Sequence, residues 1–230
     1  MPGSGILPFT AQEFFEVFRR YNEAIWPLQV VLNALAIGAL ALVLRPRRHS
    51  GRVISGSLAL LWTWVAVVYQ FGFFRPINPA AGLFGALFLL GAAAFAWEGM
   101  VRGRLRFECG ATARCAAGFA LAAYALLAYP VLSYLAGREA SEIASFGLPC
   151  PTTIFTIAML AFLKAPYPRW VFVAPLLWAL IGGQAAWLLG VYEDSGLLVA
   201  GIAGAWFALR ARGRRLATWR DVRAMLKQPE

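Results

Sequence analysis

Histidine, cysteine and lysine are scarce in this chain. One histidine, His49, and three cysteines, Cys109, Cys115 and Cys150, are spread over 230 residues. A metal site needs a cluster of such ligands, and a hydrolytic triad needs a histidine beside its nucleophile. Cys109 and Cys115 alone are a weak metal signal, so the sequence predicts no metal, no cofactor and no triad. Both lysines lie outside the apolar segments, which excludes a Schiff base to retinal.

Charged residues are also few, and apolar residues take their place. Only 14% of the chain is charged, 60% is hydrophobic, and the mean hydropathy is +0.65. Soluble domains are about half apolar and about a quarter charged. The composition therefore predicts a membrane protein whose first partner is the lipid bilayer.

Seven apolar segments predict an all-α fold, a polytopic membrane helix bundle. A segment of about 20 apolar residues can cross a hydrocarbon core of about 30 Å. We expect an N-terminal amphipathic segment (1–24), a seven-helix transmembrane domain (25–210) and a basic cytoplasmic tail (211–230). The apolar segments are 25–44, 53–74, 79–97, 115–136, 145–163, 170–191 and 196–209.

The basic residues predict the orientation of this bundle. Of the 21 lysines and arginines, 17 fall in the loops after the first, third and fifth segments or in the tail. Basic loops stay in the cytoplasm, so we expect the N-terminus outside and the C-terminus in the cytoplasm of a bacterial inner membrane. The net charge of +10 is then a topology signal, and we expect no nucleic-acid partner.

Residues 10–24 predict a short amphipathic helix. Thr10 and Glu13 fit a capping box, which satisfies free amides at a helix start. Phe14, Phe18 and Tyr21 recur at helical spacing on one face. The helix could lie along the membrane surface or pack on the end of the bundle as a lid, and the sequence leaves both open.

Polar side chains within the apolar segments are the candidate site residues. A buried amide or hydroxyl without a partner is costly where no water is present. These side chains should therefore face the bundle interior, either bonding between helices or lining a solute path. The candidates are Cys150, Thr152, Thr153, Thr156, Asn33, Gln70 and Gln184. We find no ionisable residue in the middle of a segment, and expect Glu98 to pair with Arg102 at a segment end.

The stretch 145–156, SFGLPCPTTIFT, concentrates unusual residues at the start of the fifth segment. Proline disfavours helical dihedrals in the residue before it but suits the first position of a helix. We expect a helix from Pro151 to Leu163, too short to cross the core, after a non-helical stretch from 143 to 148. The amides of residues 152–154 would then be free to bind an anion or a carbonyl oxygen. The alternative is a continuous, kinked helix over 141–163.

Other small and aromatic residues predict packing and anchoring. Gly196, Ala200 and Gly204 recur every fourth position, which permits close helix contact. Pro175 and the pair Gly182–Gly183 are predicted to interrupt the sixth segment. Tryptophans near segment ends fit the aromatic belts of membrane interfaces. They are Trp26, Trp97, Trp170, Trp187 and Trp206.

Two stretches together resemble a known family. PFTAQEFFEVFRRYNEAIWPLQ, starting at Pro8, and FGLPCPTTIFT, starting at Phe146, are similar to a family of bacterial multipass membrane proteins known only as a domain of unknown function. The resemblance covers most of the chain. The resemblance implies that the chain is a membrane protein. It implies no activity, substrate or catalytic residue.

Three functional hypotheses remain open from the sequence. The first is a small-solute transporter or channel with its site at the start of the fifth helix. The second is a membrane redox or metal-handling protein that uses Cys150. The third is an accessory or sensory subunit without a solute path, and a second copy of the chain is a partner that the sequence leaves open.

Overall fold

The computed structural model describes residues 7–210, which form a helical bundle. Residues 1–6 and the tail predicted at 211–230 lie outside the described residues. The all-α class is confirmed over the described range, where isolated bridges are the only β-type pairing. The helices are α1 (Ala11–Ile25), α2 (Leu28–Leu44), α3 (Ser50–Phe74), α4 (Ala81–Val101), α5 (Ala113–Leu135), α6 (Pro149–Ala161), α7 (Arg169–Leu188) and α8 (Ser195–Leu209).

Four of these helices are long and apolar enough to cross a membrane: α3, α4, α5 and α7. The α1–α2 pair, bent by 88°, passes the same test together and makes a fifth. At about 1.5 Å per residue, α6 and α8 span about 20 and 22 Å, less than a hydrocarbon core of about 30 Å. Length and composition therefore support four or five of the seven predicted spans.

Helix α6 lies inside the bundle and packs against α5, α7 and α8. Twelve of its thirteen residues are buried, and Cys150 is the exception. Trp62 of α3 donates its indole N–H to the Thr156 hydroxyl at 2.8 Å. Because a helix that is enclosed on all sides needs no polar face, the even apolarity of α6 reflects its central position.

Loops at one end of the bundle hold the last turn of α6. We call this the basic end, made by residues 45–49, 102–112 and 162–168. The Glu108 amide donates to the Phe162 carbonyl at 2.8 Å. The Arg114 guanidinium donates to the Leu160 carbonyl at 2.9 Å, where a cation also suits the negative end of the helix dipole.

Two further contacts at the basic end bear on the sequence predictions. The predicted Glu98–Arg102 pair is confirmed at 3.3 Å, and Arg104 lies 3.4 Å from the same carboxylate. Cys109 and Cys115, the pair behind the weak metal signal, lie close together with their Cα atoms 5.6 Å apart.

Helix α1 packs on the opposite end of the bundle, which we call the α1 end. It also contains residues 137–148 and 189–194. The predicted capping box of Thr10 and Glu13 is present. The Asn22 amide donates to the carbonyls of Ser141 and Ile143 at 2.7 and 2.9 Å. Of the two placements left open by the sequence, the structure has α1 against the bundle, over the loop that leads into α6.

Close helix contacts occur at the predicted small residues of α8. A Cβ at Gly196 would overlap the Tyr124 ring, and one at Gly204 would lie 3.1 Å from Ile157 of α6. Ala200, between them, is fully buried. Of the two breaks predicted in the sixth segment, the one at the glycine pair is present, since the α-helix Val173–Gly182 stops there. The break predicted at Pro175 is absent, because Pro175 lies within that helix.

Candidate functional site

The chain enters α6 as a non-helical segment, residues 143–148. Gly147 has φ +106°, a conformation that favours glycine. A Cβ there would lie 2.6 Å from Leu32 and 2.9 Å from the Tyr21 hydroxyl. The helix then begins at Pro149, so the structure has the discontinuous form rather than a kinked helix from residue 141.

Two details predicted for this helix start are wrong. The helix begins at Pro149, two residues before the expected Pro151. The Thr152 amide, expected to be free, donates to the Leu148 carbonyl at 3.2 Å. Since Pro149 and Pro151 have no N–H, Cys150 alone has a free donor in the first turn. Because the helix begins two residues earlier, the amides of residues 152–154 are no longer the free donors that would have attracted an anion.

A cavity of about 210 Å³ lies beside the first turn of α6. The N-terminal segment and α1 cover it, and α3, α4, α5 and α7 contribute its walls. Most of the surface is apolar and much of it is aromatic. The aromatic lining residues are Phe9, Phe14, Phe18, Tyr69, Phe74, Phe84, Tyr129 and Trp178.

One buried carboxylate, Asp194, lines this cavity. It lies in the turn Tyr192–Asp194 between α7 and α8 and is 1% exposed. Tyr129 of α5 donates its hydroxyl to an Asp194 carboxylate oxygen. Cys150, at the start of α6, also lines the cavity. Three separate elements therefore bring an acid, a phenol and a thiol to one wall.

Burial dominates the electrostatics of Asp194. It raises the pKa of the carboxyl from 3.8 to about 7, because the ionised form loses its hydration. The hydrogen bond from Tyr129, the nearby Cys150 thiol and the more distant Arg138 charge oppose this rise, while the charge of Glu193 adds to it. Asp194 can therefore exchange a proton near neutral pH.

A second acid, Glu193, has a cationic partner. Its carboxylate oxygen lies 3.9 Å from Nε of Arg138, and its carbonyl accepts from the Tyr124 hydroxyl at 2.7 Å. Arg138 also donates to the Gly190 carbonyl at 3.0 Å and stacks on the Phe15 ring of α1. Burial lowers the pKa of Arg138, and the charge of Glu193 opposes that change. These contacts connect the loop before α8 to α1.

Gln70 is the most unusual polar residue of the cavity. It is fully buried, and neither its amide nitrogen nor its oxygen finds a hydrogen-bond partner among residues 7–210. It lies in a π-helical section, Val65–Phe74, in which the Arg75 amide donates back five positions to the Gln70 carbonyl. Local π-helical geometry is frequent at functional sites. A buried amide without a partner calls for a physical explanation, and Gln70 is also one of the residues that line the cavity.

The structure brings together three of the seven predicted site residues. Cys150, Gln70 and Gln184 line the cavity. Gln184 is exposed at the glycine break of α7 and donates weakly to the Leu180 carbonyl at 3.4 Å. Asn33 does not line the cavity and donates to the Gln29 carbonyl of its own helix at 2.9 Å.

The three predicted threonines are fully buried in α6 and do not line the cavity. The Thr156 hydroxyl donates to the Thr152 carbonyl at 2.8 Å and accepts the bond from Trp62. The hydroxyls of Thr152 and Thr153 find no partner within the described part of the chain.

Sequence reasoning missed Asp194, Tyr129 and Trp178. Glu193 and Asp194 abut an apolar segment, a pattern that also fits an exposed loop. Tyr129 precedes Pro130, which has no N–H, and follows the π-helical turn Tyr124–Ala128. The sequence feature nearest to Tyr129 is Pro130, which lies inside an apolar segment. It indicates an irregular helix but does not show what Tyr129 contacts.

The comparisons with known proteins identify a family and no function. No curated protein and no solved structure matches the chain. A family model described as a family of unknown function (DUF6064) matches residues 11–217. The matched range includes α1 to α8 and the stretch at 145–156. The chain therefore belongs to the family of unknown function DUF6064.

Proposed function

We propose that this chain is an integral membrane protein that binds a small solute in the cavity beside α6 and acts as a transporter or channel. The N-terminus and the cavity would face outward from a bacterial inner membrane, and the basic end would face the cytoplasm. Seven helices would lie within the bilayer, with the short helices α6 and α8 packed among the longer ones.

Side-chain exposure supports the membrane part of this proposal. Large apolar side chains are exposed along the helices, such as Leu83 at 76% and Ile202 at 74%. Extensive exposed apolar surface marks contact with lipid or another protein. All five tryptophans near the predicted span ends are exposed as well, as in the aromatic belts of membrane interfaces. They are Trp26, Trp97, Trp170, Trp187 and Trp206.

The single observation that carries the solute site is Gln70, a cavity-lining residue whose buried side-chain amide has no hydrogen-bond partner among the described residues. Leaving a buried donor or acceptor without a bond costs about 1–3 kcal/mol. A solute with one hydroxyl or amine would satisfy that amide while its apolar part contacts the aromatic lining. An apolar cavity of about 150 Å³ is large enough for benzene, so about 210 Å³ suits a ring with a short polar arm.

Binding of 2-phenylethanol to the protein in lipid nanodiscs tests this site. We expect saturable binding above the partition into protein-free nanodiscs. Gln70→Met should weaken it about tenfold, because the solute hydroxyl loses its partner. Asn33→Leu is the matched control, since it removes an amide that does not line the cavity. Equal binding by both variants would contradict the site.

A redox function at Cys150 is the second candidate. The observation that favours it is that Cys150 is the one residue of α6 that is not buried, and it lines the cavity beside Asp194. If Cys150 has a redox function, Cys150→Ser should abolish the redox activity while solute binding persists. Solute transport that survives the substitution would reject the redox candidate. If no solute binds at all, the accessory or sensory hypothesis is favoured.

A further inference from the structure

The acids at the α1 end outnumber the cations that accompany them. Glu193 and Asp194 are 3% and 1% exposed. Arg138 is the cation nearest to them, and it is engaged with Glu193 at 3.9 Å and with the Gly190 carbonyl. The groups close to Asp194 other than Glu193 and Arg138 are the phenol of Tyr129 and the thiol of Cys150. Within residues 7–210, Asp194 therefore has no cation of its own.

The cavity lining contains no compensating charge. Among the described residues, no lysine, arginine or histidine lines it, and Asp194 is its one carboxylate. An ionised carboxylate in apolar surroundings needs either a proton or a cation. Asp194 is one of the residues that line the cavity, and the cavity is the space available for that cation.

The remaining lining residues also suit an organic cation. The faces of aromatic rings attract ammonium groups, by about 0.5–2 kcal/mol per contact. Eight aromatic residues line the cavity. The unpaired Gln70 oxygen and the Asn78 side chain, which is also part of the lining, are acceptors for ammonium N–H groups.

We propose that the solute bound in this cavity is an organic ammonium ion, with its nitrogen at the Asp194 carboxylate and its apolar part among the aromatic side chains. This inference rests on the proposed function, because it names the chemical class of that solute. The cavity volume of about 210 Å³ suits an ammonium ion with one ring and a short chain.

A pair of probes that differ in charge tests the inference. The probes are 2-phenylethylammonium and 2-phenylethanol, which have nearly the same shape. In nanodiscs at neutral pH, we expect the ammonium to bind at least about tenfold more tightly than the alcohol, a difference of about 1.4 kcal/mol. Asp194→Asn should abolish this preference, because the amide carries no charge. A circular dichroism spectrum that matches the wild type shows that the variant is folded.

The control is Glu139→Gln, which removes one negative charge from an exposed residue at the same end of the bundle. It should retain the preference for the ammonium, because exposed charges are screened by salt. Equal binding of the two probes, or a preference that survives Asp194→Asn, would overturn this inference alone. Failure of both probes to bind would contradict the proposed function together with it.

Discussion

The hydroxyl of Tyr129 donates a hydrogen bond to the carboxylate of Asp194, although 65 positions separate the two residues. Tyr129 belongs to α5, and Asp194 is the residue directly before α8, where its side chain makes no capping bond. Both are almost fully buried. This bond fixes the position of the one carboxylate on the cavity wall, and it makes the protonation of Asp194 part of the stability of the fold.

The first prediction concerns pH. The pKa of Asp194 is raised from 3.8 to about 7, so the folded chain holds this proton more tightly than the unfolded chain. The contribution of Asp194 to stability should be greatest below about pH 4 and decline until about pH 7, by an amount on the order of 4 kcal/mol. Asp194→Asn should remove this part of the pH dependence.

Thermal unfolding of both proteins in detergent at about pH 5 and about pH 8 measures this effect. The wild type should lose more stability than Asp194→Asn as the pH rises between these values. The neighbouring ionisable groups, Tyr129, Cys150, Glu193 and Arg138, are the same in both proteins. Parallel pH profiles would show that Asp194 does not titrate in this range.

A second prediction compares two threonines of α6. Thr156→Val removes the acceptor for the Trp62 indole and leaves a buried donor unpaired, which should cost about 1–3 kcal/mol of unfolding free energy. Thr153→Val removes a hydroxyl that has no partner among the described residues. It should leave stability unchanged or raise it by about 1 kcal/mol. Denaturant titration of the two variants gives both values, and equal losses would contradict the bonding described for α6.

The third prediction concerns α1 as a lid. Asn22 binds the two carbonyls of the loop before α6, Ser141 and Ile143. Asn22→Ala should loosen this loop and increase the rate at which a soluble maleimide labels Cys150. Arg20→Ala, an exposed change on the same helix, is the control and should leave the rate unchanged. Equal rates in all three proteins would show that the contacts of Asn22 do not control access to the cavity.

Topology gives a fourth prediction. A cysteine-free variant provides the background, with single cysteines placed at Glu139 in the α1 end and at Arg104 in the basic end. Both positions are exposed. Because basic loops stay in the cytoplasm, an impermeant maleimide should label the cysteine at 139 in intact cells and reach the one at 104 only after lysis. The reverse pattern would invert the proposed orientation.

The sequence predicted local features better than long-range ones. The capping box at Thr10, the break at Gly182–Gly183 and the Glu98–Arg102 pair depend on neighbouring residues, and the structure contains all three. The start of α6 was misplaced by two residues because Pro149 and Pro151 are each compatible with a first helical turn.

The site needed tertiary information. The pattern around Asp194 is that of an ordinary loop, and only the folded chain shows its contact with Tyr129. Gln70 and Asn33 were both selected because each is a polar residue within an apolar segment. The sequence does not show that the Asn33 amide bonds to its own helix whereas the Gln70 amide has no partner among the described residues. The three threonines were predicted to line the site but do not, because their part of α6 is surrounded by other helices. The sequence does not show that α6 lies at the centre of the bundle.

The position of a heavy-atom probe in the crystal tests whether the cavity binds a solute. Crystals of the protein soaked with 2-(4-bromophenyl)ethanol would show the bromine by its anomalous scattering. We expect one site inside the cavity, with the probe hydroxyl near the Gln70 amide and the ring near Trp178. Bromine found solely on the lipid-facing surface of the helices, with none beside Gln70, would contradict it.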